Sequence, residues 1–294
     1  MTYQSPFEAL YKSDATAACL EYTGTLEKVL KDLASPPQVQ HLNFEVKHPA
    51  SNILSDHPEY LALHPPRILR AVMDYKISHP DSLHLEQLLQ DAINYAIDIY
   101  KNPTNAPQRV KELKEKIESI QEKNLLTNPL QQKNDLTTWD ASAPEISQKT
   151  ATDLAAKIAS ADVLFIALGH GGIAAGMDVF LRYCSDTGNT NSTFYTTRMS
   201  SHKLGDFEPR LTTTEIEYLL QASQNRQLIL FDEDRNTGRT LARAQRYFAS
   251  EVFPSQEMIL IANSDEFLRK QRIQEEHDKY FGSVKHLSNY KWKF

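Results

Sequence analysis

The stretch LILFDEDRNTGRTL, Leu228 to Leu241, carries three structural instructions in one line of sequence. Leu228, Ile229, Leu230 and Phe231 form a short apolar run with the composition of a buried strand. Asp232 and Glu233 place two carboxylates at its carboxyl end. Thr237-Gly238-Arg239-Thr240 then opens a helix, where successive backbone N–H groups, the positive end of the helix dipole and threonine hydroxyls make a receptor for phosphate. Gly238 permits close backbone approach and a conformation that a side chain would oppose. The two carboxylates can accept hydrogen bonds from a pair of vicinal hydroxyls. A phosphate and a diol a short distance apart describe a ribose 5-phosphate.

Working outward, strands and helices alternate on both sides of this stretch. A helix spans Ser142 to about Ala159, with an S-x-x-E capping-box spacing at Ser142 and Glu145 and Pro144 in its first turn. The strand VLFIAL follows, then a helix from about Ile173 to Tyr183, a strand near Ser192 to Thr197, and a helix opened by Thr212-Thr213-Thr214-Glu215. Beyond the quoted stretch come a helix to about Phe248, the strand MILIA and a helix opened by Asn263-Ser264-Asp265-Glu266. This alternation predicts an α/β fold with a doubly wound, mostly parallel sheet and right-handed crossovers. Ligands of such sheets bind at the carboxyl ends of the strands.

The quoted stretch closely resembles the phosphoribosyl-pyrophosphate (PRPP) signature of type I phosphoribosyltransferases: four apolar residues, two acidic ones, then a Thr-Gly-x-Thr loop. The resemblance covers residues 142–294, about half of the chain. It implies that Asp232 and Glu233 hold the ribose 2- and 3-hydroxyls, and that Asn236, Thr237, Gly238, Arg239 and Thr240 hold the 5-phosphate. It also implies a pyrophosphate loop after the first core strand, where Gly169-His170-Gly171-Gly172 stands, often with a non-proline cis peptide in relatives. His170 occupies a position that is arginine in many members. Between the second and third strands the family carries a closing loop, here Thr197 to Arg210, and Arg198 and Lys203 within it are candidates to neutralise the leaving pyrophosphate. The resemblance further implies Mg²⁺ carried by PRPP, with no ligand directly assigned and a water-mediated contact to Asp232. The expected enzyme is a cytoplasmic transferase of nucleotide metabolism that passes the 5-phosphoribosyl group to a nitrogenous acceptor and releases pyrophosphate. Members that use 6-oxopurines carry aspartate just before the Thr-Gly; Asn236 stands there and is no general base at neutral pH, which disfavours a hypoxanthine-guanine activity of that kind.

Two other readings compete. A protein on this scaffold can sense PRPP or a nucleotide without transferring anything. Alternatively, Gly169, Gly171 and Ala174 fit the dinucleotide spacing G-x-G-x-x-A, and Arg198 would then read the 2-phosphate of NADP in an oxidoreductase. That last reading leaves Asp232, Glu233 and the Thr-Gly-Arg-Thr loop without a purpose.

The first 140 residues follow a different grammar. Only Gly24 of the nine glycines lies there, and helices alternate with prolines. Apolar residues recur at three and four over Leu26 to Leu33, from about Pro66 through Met73, from Leu85 to Ile99 and, more thinly, from Val110 to Ile120. Asn124 to Ala143 is polar and reads as a linker or surface loop, which sets a boundary between a helical region, 1–140, and a phosphoribosyltransferase-like domain, 141–294. Hood, oligomerisation and regulation are candidate roles for the former; many relatives are homodimers. His41, His48, His57, His64, His79 and His84 lack zinc spacing and read as loop or helix-start residues. Trp139 and the tail Tyr290-Lys291-Trp292-Lys293-Phe294 offer faces for a planar base, against ordinary edge-strand packing.

Composition sets outer limits. The chain has 294 residues, 40% of them hydrophobic, and a formal net charge of −6 with no basic clustering, so nucleic-acid binding is not expected. Cys19 and Cys184 belong to no C-x-x-C pair, which fits a reducing compartment. No apolar run approaches a membrane span, and the first twenty residues do not read as an export signal. PRPP and a small-molecule acceptor are the expected partners.

Overall fold

The structure is a computed structural model, and it describes residues 3–34, 58–82, 84–133, 135–199, 205–235 and 238–264. Four strands make a wholly parallel sheet: β3 (Val163–Gly169), β4 (Thr193–Arg198), β5 (Gln227–Asp234) and β6 (Met258–Ser264), in the order β4-β3-β5-β6. All seven residues of β3 are buried, as the continuous run VLFIALG requires of a strand with neighbours on both edges and helices on its faces. The chain steps from β3 to β4 in one direction and then crosses back to β5 and β6 in the other. Right-handed crossovers therefore put helix α9 (Gly172–Thr187) on one face, and α10 (Thr213–Ala222) and α11 (Arg239–Tyr247) on the other. Packing agrees: α9 lies against β3, β5 and α8 (Pro144–Lys157), and α11 lies against β5 and β6.

Ahead of the sheet stand α1 (Pro6–Lys12), α2 (Leu26–Ala34), α3 (Pro58–Ser78), α4 (His84–Lys101) and α5 (Ala106–Ser119). Helices α3 and α4 pack on each other and reach β4, an end strand of the sheet. Buried residues from Phe7 to Phe253 form one contiguous hydrophobic cluster running through both halves of the chain. Among the described residues no helix is long and apolar enough to cross a membrane, and Cys19 and Cys184 are free thiols.

Several expectations need correction. Helix α3 begins at Pro58 and runs through Pro65 and Pro66, where the pattern suggested a start. A proline removes the N–H that would satisfy the carbonyl four residues back. For Pro66 that carbonyl belongs to Ala62, and the buried Tyr100 hydroxyl donates to it at 2.5 Å. The same extension places His64 inside a helix, buried against the Arg67 guanidinium, rather than in a loop or at a helix start.

The segment expected to be a linker is ordered as α6 (Asn124–Thr127), β2 (Pro129–Gln132) and α7 (Leu136–Ala141). Buried Leu125, Leu130 and Ala141 anchor it, and β2 pairs antiparallel with β1 (Tyr22–Thr25). Trp139 therefore sits in a helix, stacked on Tyr11 at 4.2 Å between ring centroids, and not on an edge strand.

The Ser142–Glu145 capping box does not form, because the Ser142 hydroxyl donates instead to the Thr138 carbonyl, and Ala143 is the cap residue of α8. The box at Thr212 and Glu215 does form. Asn263 and Ser264 end β6 rather than opening a helix; the continuation from Asp265, the C-terminal tail, and His41, His48 and His57 lie outside the described residues.

Replacing Tyr100 by Phe should strand the Ala62 carbonyl without changing the shape of the core. The expected cost is about 1 to 3 kcal/mol in a denaturant melt, with the helical circular dichroism of the folded protein unchanged. A variant as stable as the wild type would show that Tyr100 does not compensate for Pro66.

Candidate functional site

The two inner strands meet at the point where the chain's direction of winding reverses. In an open parallel sheet the crossover helices diverge there, leaving a crevice beyond the carboxyl ends of the strands. The crevice receives Gly169, the last residue of β3, with His170, Gly171 and Gly172 after it, and Asp232 and Glu233 from the last three residues of β5, which runs two residues further than the pattern LILFD and so takes both carboxylates into the strand. The Gly169–His170 peptide bond is cis. Gly172 is the first residue of α9, so the loop delivers its amides at a helix N-terminus.

The acidic pair and the glycine loop are in contact. A Cβ on Gly171 would fall 1.6 Å from the nearer Glu233 carboxylate oxygen, and one on Gly172 only 3.5 Å from the Asp232 Cα. Glycine at 171 is thus what lets the Glu233 side chain lie across the loop. Thr138, from α7, donates to Glu233 Oε1 at 3.4 Å, and the Glu233 amide donates to Asp232 Oδ1 at 3.1 Å. Loss of hydration, together with the adjacent Glu233 charge, holds the Asp232 carboxyl well above its usual pKa.

Gly238 caps α11 with φ +66°, in the left-handed region where a side chain is strained. Arg239 and Thr240 form the first turn of that helix. Three expected contributors, Asn236, Thr237 and Lys203, lie outside the described residues.

Arg198 ends β4, at the same edge of the sheet. Its guanidinium is paired with carboxylates: Nε and Nη2 each donate to Asp206 at 3.1 Å, and Nη1 donates to Asp74 Oδ1 at 3.3 Å. Arg210 shares Asp206, through Nε at 3.2 Å. His170 presents Nε2 to Asp74 Oδ1 at 2.8 Å. Arg70 lies one helical turn before Asp74 and 4.0 Å from its other oxygen.

Burial works to raise the Asp74 pKa, but the bond from His170 and the charges of Arg70 and Arg198 outweigh it and hold the carboxyl below its ordinary range. For His170 burial dominates in the other sense. Opposed by Asp74 and reinforced by Arg70 and Arg198, it holds the imidazole below its ordinary pKa.

Asp74, Arg70 and Thr138 come from the N-terminal region, and nothing in their local sequence marks them as part of the site. Arg70 and Asp74 carry only the i,i+4 spacing of a common helix-surface ion pair.

Oxygen donors suited to Mg²⁺ come from the adjacent Asp232 and Glu233, and among the described residues no three His, Cys, Asp or Glu side chains gather as a metal site. That donor set fits an ion carried in by phosphate oxygens rather than one caged by protein.

Compared with protein-family models, curated proteins and solved structures, the chain matches none.

The raised pKa of Asp232 has a definite sign in stability. Between the unfolded value, about 3.9, and the raised folded one, the folded state binds the extra proton, so stability falls as pH rises across that interval. Asp232→Asn should therefore melt at a higher temperature than the wild type at pH 7, with the gap closing as pH falls toward about 4. An equal or lower melting temperature at pH 7 would show that Asp232 is not held in this way.

Proposed function

We propose that the chain transfers the 5-phosphoribosyl group of PRPP to a nitrogenous acceptor, a nucleobase or related heterocycle, in the manner of the type I phosphoribosyltransferases it resembles. The observation that carries this reading is the juxtaposition at the winding reversal. The glycine loop at the end of β3 and the acidic pair in the last residues of β5 are in contact, and the Gly238 cap opens the helix that follows β5. A dinucleotide site would use the glycine loop alone and would leave the carboxylate pair unexplained.

In this reading Asp232 and Glu233 accept hydrogen bonds from the two ribose hydroxyls. The first-turn amides of α11, with Thr240, Arg239, Gly238 and the flanking Asn236 and Thr237, hold the 5-phosphate. Residues 169–172 present backbone N–H groups to the pyrophosphate, and Arg198 and Lys203 add charge beside it. Asp232, with Glu233 beside it, would hold a Mg²⁺ ion brought in with PRPP, and that ion would supply charge neutralisation for the leaving group. The bond from C1 to the pyrophosphate oxygen breaks with its electron pair leaving on pyrophosphate. A ring nitrogen of the acceptor donates its lone pair to C1 from the opposite face, with inversion. The acceptor's proton passes to solvent, since Asn236 cannot take it. The protein's contribution is positioning and electrostatic stabilisation, which suits a cationic transition state between an acidic pair and an anion receptor. Helices α3 and α7, which reach the same edge through Asp74 and Thr138, serve as its wall.

Calorimetric titration of PRPP with Mg²⁺ should show binding to the wild type and its loss in the Asp232→Asn/Glu233→Gln double variant. Equal affinity in both would sink the site. The three atoms nearest an added Cβ at Gly171 all belong to the flexible end of Glu233, so Gly171→Ala should fold normally, displace that carboxylate and weaken PRPP binding by roughly tenfold or more. Pyrophosphate release from PRPP with a panel of bases then separates a transferase from a sensor, which would bind the donor and leave it intact.

A further inference from the structure

Among the described residues the His170 ring is hydrogen-bonded from one side, by a residue of the N-terminal region. Asp74 sits on α3, 96 positions away in sequence, and meets the Nε2 atom at 2.8 Å. An ionised carboxylate only accepts hydrogen bonds, so the ring nitrogen facing it carries the hydrogen. The nitrogen left for any ligand is Nδ1. On a neutral ring with hydrogen at Nε2, that atom is an acceptor with a lone pair. A pyrophosphate oxygen is also an acceptor, and two acceptors cannot share a hydrogen bond without a proton between them.

We propose that Asp74 is a positioning residue of the anion site: it fixes the His170 tautomer, so that a pyrophosphate group docking on the loop is met by an imidazolium whose Nδ1–H donates to it. The inference rests on the phosphoribosyl reading and deepens it, because it assigns a role to the histidine that replaces arginine at this position. The charged groups facing the ring are Asp74 and Arg70 on α3 and Arg198 at the end of β4, with Glu233 of β5 lying over the next residue, Gly171. Without an added anion, burial first and the charges of Arg70 and Arg198 after it oppose a charge on the ring and, against Asp74, hold its pKa down. A docked pyrophosphate reverses the balance, since its negative charge favours the imidazolium directly. Binding and protonation thereby become linked, and arginine's permanent charge is replaced by one that arrives with the ligand.

Two measurements test this. The ring ¹⁵N shifts of His170, assigned by comparison with His170→Gln, should show a neutral ring protonated at Nε2 in the protein alone at pH 7. With inorganic pyrophosphate and Mg²⁺ at saturation they should show both nitrogens protonated. Asp74→Asn should abolish the fixed tautomer and weaken pyrophosphate binding roughly tenfold, with Asp74→Glu restoring part of both.

The second measurement is the ratio of wild-type to His170→Gln affinity for pyrophosphate between pH 8 and pH 6, in which the ligand's own titration cancels. That ratio should rise as pH falls, by up to about tenfold per pH unit. Binding with a ring that stays neutral, or an affinity ratio flat in pH, overturns the proposal while leaving the phosphoribosyl reading intact. No binding of either pyrophosphate or PRPP to the wild type would remove both.

Discussion

The Lys76 ammonium and the Glu215 carboxylate meet at 2.5 Å, with side-chain exposures of 5% and 0%. Charges so enclosed are tolerated only as a pair, and removing one partner of a buried pair commonly costs about 3 to 5 kcal/mol. Glu215 is further committed: it accepts from the Tyr195 hydroxyl of β4 at 2.6 Å and from the Thr212 amide at 2.8 Å in the capping box that opens α10. One carboxylate thus binds α3, β4 and α10 together. Helix α3 cannot slide along the edge of the sheet without leaving these charges bare, and Asp74 and Arg70 stand two and six residues before Lys76 on that helix. The anchor that joins the helical region to the sheet therefore also sets where Asp74 meets His170 and Arg198.

Beyond that anchor, the site owes its place to winding. Strands β3 and β5 are neighbours, yet the chain leaves them in opposite directions, so their following loops open into the same crevice from opposite faces. The residues there are assembled from distant parts of the chain: the glycine loop and the acidic pair are separated by about sixty residues, and α3 and α7 add Asp74 and Thr138, 96 and 95 residues from the side chains they meet. Charge is arranged unevenly across the crevice. Arg198 at the end of β4 and Arg70 of α3 gather beside the glycine loop, where carboxylates hold them, while Asp232 at the end of β5 keeps its proton more tightly than a free carboxyl would.

Much of this is legible in the sequence alone. The strands VLFIAL and LILFD are apolar runs too short for helices and too continuous for exposed strands, and both lie where expected. The Thr212–Glu215 capping box was legible because its chemistry is local. The identical spacing at Ser142 and Glu145 misled for an equally local reason: α7 ends just ahead, and its Thr138 carbonyl is a nearer partner for the Ser142 hydroxyl. The polar composition of residues 124–143 suggested a linker, since three buried anchors spread through it, Leu125, Leu130 and Ala141, make no periodic pattern. Asp74 left no signal at all, because its partners lie across the fold and its own helix shows only an amphipathic stripe.

What the sequence determined by itself was the alternation of strands and helices in the second half of the chain and the residue types at two strand ends: apolar periodicity, glycine at the turns and paired carboxylates are properties of neighbouring residues. What the tertiary structure alone decided was which of these elements share a crevice and which side chains from the helical region complete it. A backbone pattern states its own period, but the partner of a buried charge is chosen by packing, and for Glu215, Asp74 and Glu233 those partners, Lys76, His170 and Thr138, lie 139, 96 and 95 residues away.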